Sequence, residues 1–414
     1  MTYPLFRPDP ANPYPDYAEL RAKGAACPVT LPDGMTRWLV GRYDDAKRLL
    51  ADPRLSKNPD PVRRALREAG STFFSEEGDP LTHHMLTVDP PEHTRLRKPV
   101  AKEFTARQVT RLRPRVDDLA AELLDKLDGR AEVDLLESFA YPLPLTVITE
   151  LLGIPESDHA DIKLWSTALQ RPPFAGDFPL SPTEGLTRMR DYLVALIDDK
   201  RDRLAAGQPP DDGLVSALLA DATNELSPAE LLSTAYLLLV AGHSSTTDFI
   251  GNALVALLAN PDQLDLLRRR PELITGAVEE LLRYDSSAMM ATIRFATEEL
   301  TVSGETIPEG GTVSVVIGAA NRDPDAFDDP DRLDITRTAV LHLSFGHGPH
   351  FCLGAAMARM ISAAAIGALV TRFPELSAAV PLDELSWQDA GGGIGRGLNR
   401  LPLVLGRPAE PSAR

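Results

Sequence analysis

Apolar residues recur at three- and four-residue spacing along most of this chain, and that period predicts helices. It does so from Thr105 to Leu127, Leu143 to Leu152, Glu156 to Gln170 and Thr183 to Ala206. The longest run is LSPAELLSTAYLLLVAGHSSTTDFIGNALVALLANPDQ. Ser227 is its N-cap, Pro228 its first helical residue and Glu230 its N3, and Asn260-Pro261 stops it. Because this run is apolar nearly all round, it is expected to pass through a core. Strand signals are few: TRWLV ahead of a short helix in YDDAKRLLADP, and GTVSVVIGAAN over 311–321. RPPFAGDFPLSP (171–182) reads as an apolar loop between helices, and a final helix begins just after Cys352. No repeat, low-complexity tract or linker interrupts the pattern. The expectation is one mainly α domain with small β-sheets, spanning 1–414.

Composition narrows the function classes. With 43 Lys+Arg against 60 Asp+Glu the net charge is −17, which argues against a nucleic-acid binder. No basic-then-apolar leader opens the sequence, and no stretch of about 18 uninterrupted apolar residues predicts a membrane span. Two cysteines in 414 residues point to a reducing, cytoplasmic setting rather than a disulfide scaffold.

One of those cysteines lies in FGHGPHFCLG (345–354). A disulfide would require Cys27, far off in sequence, and zinc would require more ligands. A free cysteine is usually a buried structural residue. Here glycines at 346, 348 and 354 allow tight turns and the close approach of a flat group. Cys352 also stands at the start of a helix, where free N–H groups and the dipole favour the thiolate. Such a sulfur can be the single axial ligand of a haem iron. The Phe-x-x-Gly-x-x-x-Cys-x-Gly spacing has roughly 3 × 10⁻⁴ chance matches at this chain's own residue frequencies.

With this loop the chain resembles the cytochromes P450, and in particular their soluble bacterial branch, from about Asp89 to Leu405. EELLRYDS supplies the family's Glu-x-x-Arg pair as Glu280 and Arg283, which fall on one helical face. Glu92 and Arg95 fit the same pattern by spacing alone. NRDPDAFDDPDRLDITR (321–337) is similar to the family's meander, with Leu333 where Phe is usual. The resemblance implies the P450 fold and a haem b (iron protoporphyrin IX) held by Cys352 between the long helix and the cysteine helix. Phe345, Gly354 and Ala241 would line the haem. His93, Arg97, Arg294 and His350 would partner its propionates. Glu280 and Arg283 would be structural.

On the long helix the family's Ala-Gly-x-acid-alcohol motif is altered. AGHSSTT gives Ala241 and Gly242, then Ser244 in place of the acid and Ser245 in place of the alcohol, followed by Thr246. Ser244, Ser245 and Thr246 are the expected distal proton relay, yet Ser244 cannot act as an acid near neutral pH. Water, Asp248 one turn on, or a substrate hydroxyl would have to supply the missing function. Mid-helix Ser and Thr also commonly do no more than satisfy local carbonyls.

The resemblance implies a monooxygenase that inserts one atom of O2 into a lipophilic small molecule. Polyketides or terpenoids are the expected substrates, by hydroxylation or epoxidation. The pocket is expected to include Leu237, Val240, Met289, Met290, the 171–182 loop and the stretch before His93. Electrons would come from a ferredoxin, with its reductase and NAD(P)H. The basic segment RLRKPVAKEFTARQVTRLRPR (95–115) is the expected docking surface, although charge runs are often only solvated helix faces. Two alternatives stand beside this reading. Ser244 suits a peroxide-driven or oxidative-coupling enzyme, and a non-catalytic haem protein would share the cysteine loop.

Overall fold

A computed structural model describes residues 4–31, 36–60, 80–170, 179–223, 225–338, 340–388 and 394–409. The chain forms two compact units. One comprises residues 1–56, 109–143 and 245–414, and the other residues 57–108 and 144–244.

The first unit holds all the described strands. A five-stranded sheet runs in the order β1 (Cys27–Thr30), β2 (Thr36–Val40), β8 (Thr312–Val315), β5 (Arg294–Ala296) and β3 (Leu55–Ser56). Only the β2–β8 pairing is parallel, with Trp38 opposite Val313. β4 (Glu132–Asp134), β10 (Pro402–Val404) and β9 (Ser377–Ala378) form a three-stranded sheet, and β6 (Leu300–Val302) and β7 (Glu305–Ile307) a hairpin. Val40, Leu49, Val302, Ile307, Val313 and Val315 close one core under the large sheet. In this unit, helix Ile274–Tyr284 carries Glu280 and Arg283, and helix Ala355–Arg372 begins three residues after Cys352. Among the described helices, only Ala355–Arg372 is long and apolar enough to cross a membrane, and half of it is buried in the fold.

The described part of the second unit is helical. His159–Gln170 packs on Pro182–Ala205, and a Cβ on Gly185 would stand 3.0 Å from the Ala168 Cβ, so glycine permits that close crossing. Ser181 and Glu184 form a capping box at the start of the second helix.

The helical period reads well against this structure. Helices occupy Ala106–Asp125, Pro142–Leu152, Pro182–Ala205 and Pro228–Ala259. The long helix starts at its expected cap: Ser227 N–H donates to Glu230 Oε2 at 2.8 Å and Glu230 N–H to Ser227 Oγ at 3.3 Å. The 156–170 segment opens with a 3₁₀ turn, and the α-helix proper is His159–Gln170. One strand expectation needs correcting. The 311–321 strand ends at Val315, and Ile317–Ala320 is a short helix. Its Gly-Ala-Ala run lacks the β-branched residues that favour a pleat. In that helix a Cβ on Gly318 would stand 2.9 Å from Met289 Cε, so the turn exists where the side chain is smallest. Of the 171–182 loop, residues 171–178 lie outside the described residues, as do 61–79 in the stretch before His93.

Candidate functional site

The cysteine loop is set by backbone bonds. Gly346 N–H donates to Leu343 O at 2.7 Å, Phe351 N–H to Gly348 O at 3.0 Å and Cys352 N–H to Phe345 O at 2.9 Å. Gly346 and Gly348 have φ of 74° and 75°, a conformation natural to glycine. A side chain at 348 would also press on the Ala51 backbone at 2.9 Å. The result is a turn that presents the Cys352 thiol exposed, three residues before helix Ala355–Arg372. A Cβ at Gly354 would meet nothing within 4 Å, so there is open space two residues on from that cysteine. Phe345 is half-buried, with the Arg359 guanidinium 4.3 Å from its ring centre. Cys27 differs: it is half-buried, and its thiol pKa is raised, chiefly by burial and then by Glu305.

Behind the loop lies a buried ion pair. Arg283 Nε donates to Glu280 Oε2 at 2.7 Å and Nη2 to Oε1 at 2.8 Å, and both side chains are fully buried. The remaining guanidinium N–H groups reach Asn321 O at 3.0 Å, Pro330 O at 2.7 Å and Arg332 O at 3.2 Å. Glu280 in turn accepts from Asp334 N–H at 3.1 Å and pairs with Arg337 at 3.2 Å. The pair therefore ties the 321–337 segment together, and Leu333 is buried within it. Asn321 passes the constraint on. It accepts from Leu343 N–H at 2.7 Å and donates to Ser344 Oγ at 2.9 Å. Ser344 Oγ donates to Leu282 O at 2.8 Å, so the loop's entry is fastened to the helix that carries the pair. Glu92 and Arg95, 3.6 Å apart, are both solvent-accessible and organise nothing comparable. A second brace joins helices Ile274–Tyr284 and Ala355–Arg372. Arg359 Nε donates to Glu279 Oε1 at 2.6 Å, and His342 lies 3.3 Å from Oε2. Burial opposes ionisation of Glu279, but those two bonds hold its carboxyl down to about 2.

In the same unit, Arg294 is buried on β5 and donates to Thr292 O at 2.9 Å, while His350 is half-buried two residues before Cys352. Met289 is core: it packs with Tyr17, Leu20 and Leu39, and Met290 is equally buried. The partly exposed residues of that segment are Ala288 and Ala291–Ile293. In the other unit, His93 and Arg97 lie one turn apart on helix Glu92–Ala101. Burial and then the Arg97 charge lower the His93 pKa, which leaves the imidazole neutral near pH 7.

Along the long helix, Leu237, Val240, Ala241, Ser244, Ser245 and Asp248 keep exposure, whereas Leu238, Leu239, His243 and Thr246 are buried. The exposed set follows the helical period, so the helix offers one face, apolar and then hydroxylic. Gly242 lies where a Cβ would be 2.7 Å from Ile148. His243 Nδ1 is 2.7 Å from Leu239 O, and burial lowers its pKa to about 4. Ser244 Oγ donates back to Val240 O at 3.3 Å.

A haem needs one soft axial donor, room for a flat ring and partners for its carboxylates. The exposed thiol, the open space at Gly354, Arg294 in the same unit and His350 two residues before the thiol fit those requirements. The pairing of the described residues 386–388 with 394–399 was not legible in the sequence beyond the glycine spacing of GIGRGL. Trp387 bridges Leu398 and Gly395 bridges Ala288.

Comparison with known proteins agrees with this chemistry. The family model for Cytochrome P450 matches residues 183–379. The chain is 45% identical over 411 residues to Cytochrome P450 monooxygenase PikC of Streptomyces venezuelae, covering 98% of this chain and 94% of that protein. It is 44% identical to a Vitamin D(3) 25-hydroxylase of Pseudonocardia autotrophica, covering 95% and 94%. Among solved structures, the Bacillus subtilis bacillaene polyketide synthase P450 PksS superposes with a TM-score of 0.85 at 36% identity, covering 96% of this chain and 97% of PksS.

Proposed function

Because the chain belongs to the cytochrome P450 family, it is an oxidoreductase, and we propose that it is a cytoplasmic monooxygenase acting on a lipophilic small molecule. The observation that carries this reading is the exposed Cys352 thiol on a loop pinned, through Asn321, to the Glu280–Arg283 pair. We take the 414 residues as one P450 domain that binds haem b. Cys352 would hold the iron, with Arg294, His350, His93 and Arg97 as carboxylate partners and Phe345, Gly354 and Ala241 lining the ring. The bound haem supplies the oxygen activation. The protein orients the substrate, excludes water and conducts protons. Leu237, Val240 and Ala241 offer apolar contact on the exposed face of the long helix, and Ser244, Ser245 and Thr246 are the proposed proton path. Electrons come from a ferredoxin, its reductase and NAD(P)H. Relatives whose names refer to polyketide biosynthesis and to vitamin D support a polyketide or terpenoid substrate.

The test is the absorption spectrum of the purified protein, reduced and with carbon monoxide, followed by titration with polyketides and terpenoids. A thiolate-type spectrum and a spin-state shift with one class are expected. A spectrum without thiolate character would overturn the reading. Ser244, bonded back to its own helix, supports a second reading, that peroxide drives the oxidation. Product formed with peroxide alone, at the rate of the full electron-transfer system, would favour it.

A further inference from the structure

The long helix carries a carboxyl that the site above leaves without a role. Asp248 ends that helix's stripe, one turn beyond Ser244; the residue keeps only partial exposure and its carboxyl is packed away, with Oδ1 2.2 Å from where a Cβ on Gly397 would stand. The carboxyl therefore rests on the bare Cα of the 394–399 stretch, and Gln388 gives it a side-chain hydrogen bond. Gln388 is itself bound to that stretch, its N–H donating to Gly397 O at 2.9 Å and its Nε2 to Leu398 O at 3.0 Å. One turn on, Asn252 Nδ2 donates to Arg396 O at 3.1 Å.

The other edge of that stretch holds the segment that leads to Arg294. Arg396 N–H donates to Ser287 O at 2.8 Å, and Ile394 O accepts from Met289 N–H at 2.9 Å and Met290 N–H at 3.3 Å. Ile394 is 43% exposed, beside the partly exposed Ala288 and Ala291–Ile293, and together they form an apolar wall.

We propose that Asp248 is a positioning residue for ligand binding: its carboxyl is the seat of the 394–399 stretch and, through that stretch, sets where the 288–293 wall stands. The proposal rests on the reading that this wall borders the small-molecule pocket.

It makes the wall sensitive to pH. Burial raises the Asp248 carboxyl to about 7, with the Gln388 donor opposing it. Among the described residues, the charged groups facing this contact have other commitments. Arg396 pairs with Asp285 at 3.0 Å, and Arg400 with Asp134 at 3.1 Å. Glu137, on the turn whose Leu136 meets the helix at Gly251, is exposed. His243, five residues back along the helix, is neutral. Asp248 is thus a neutral acid at pH 6 and a carboxylate at pH 8. A carboxylate pressed on a glycine and one amide must draw in water, which loosens the seat.

The experiment is hydrogen exchange at the Met289 and Met290 amides of the holoenzyme between pH 6 and 8.5, corrected for intrinsic base catalysis. It is paired with titration by vitamin D3, a neutral lipophile with no titration of its own. Protection and affinity are both expected to fall roughly tenfold from pH 6 to pH 8 in the wild type. Asp248→Asn should be flat in both, and Gly397→Ala should lower protection at every pH. An Asp248→Asn profile that keeps the wild-type slope overturns the proposal. So does a variant that loses only product yield per O2 consumed, because that would make Asp248 a proton donor instead. A protein without a thiolate spectrum would fail the P450 reading while leaving the exchange result intact, so the two failures are distinguishable.

Discussion

Cys352 and Cys27 have the same side chain and opposite surroundings. One is exposed at a helix start, and the other is half-buried with its thiol pKa pushed up. Cys352→Ser is expected to abolish the thiolate-type spectrum, whereas Cys27→Ser should leave it unchanged; the carbon-monoxide difference spectrum reads both. Ser244 poses a second question at this scale. Its hydroxyl is spent on Val240 O, and its neighbour His243 is neutral and buried, so neither brings an acid to the relay. Ser244→Glu is expected to raise product formed per O2 consumed, by up to about tenfold if general-acid transfer limits the wild type. Unchanged coupling would mean that protons arrive by another route. Cys352 and the Glu280–Arg283 pair were legible because fixed spacings carry them. The contact of Asp248 with Gly397 was not, because it joins residues far apart in sequence and depends on the absence of a side chain.

At the scale of elements, the buried pair between helix Ile274–Tyr284 and the 321–337 segment differs in kind from the chain's surface pairs. Arg283 satisfies its guanidinium with two carboxylate oxygens and three carbonyls, all removed from water. Arg283→Ala leaves Glu280 buried and charged with only Arg337 near it, at an expected cost of about 3–5 kcal/mol in urea unfolding, with loss of haem on purification. Arg113→Ala removes an exposed pair with Asp117, 2.8 Å apart, and should cost less than about 1 kcal/mol. Equal costs would mean that the meander is not held by Arg283. The helices could be read because burial on one face imposes a period. The 311–321 segment misled because a short apolar run fits strand and helix alike, and only packing of Gly318 against Met289 decides between them.

Across the whole molecule, the charge of −17 makes the basic 95–115 segment conspicuous, and the structure shows how much of it is already neutralised. Arg95 pairs with Glu230, Lys102 with Asp221, Arg113 with Asp117 and Arg115 with Glu122. Lys98 and Arg107 are exposed, so a docking role falls chiefly on them. If an acidic ferredoxin is steered there, its rate of reducing the haem should drop steeply between about 20 mM and about 500 mM salt, as the screening length shrinks. Lys98→Glu combined with Arg107→Glu should lower the low-salt rate at least about tenfold and flatten the salt dependence. Arg113→Glu, whose partner is close by, should do less. Stopped-flow reduction under carbon monoxide measures all three proteins. A wild-type rate indifferent to salt would move the electron entry point off this segment, and the run would then be what most charge runs are, a solvated helix face.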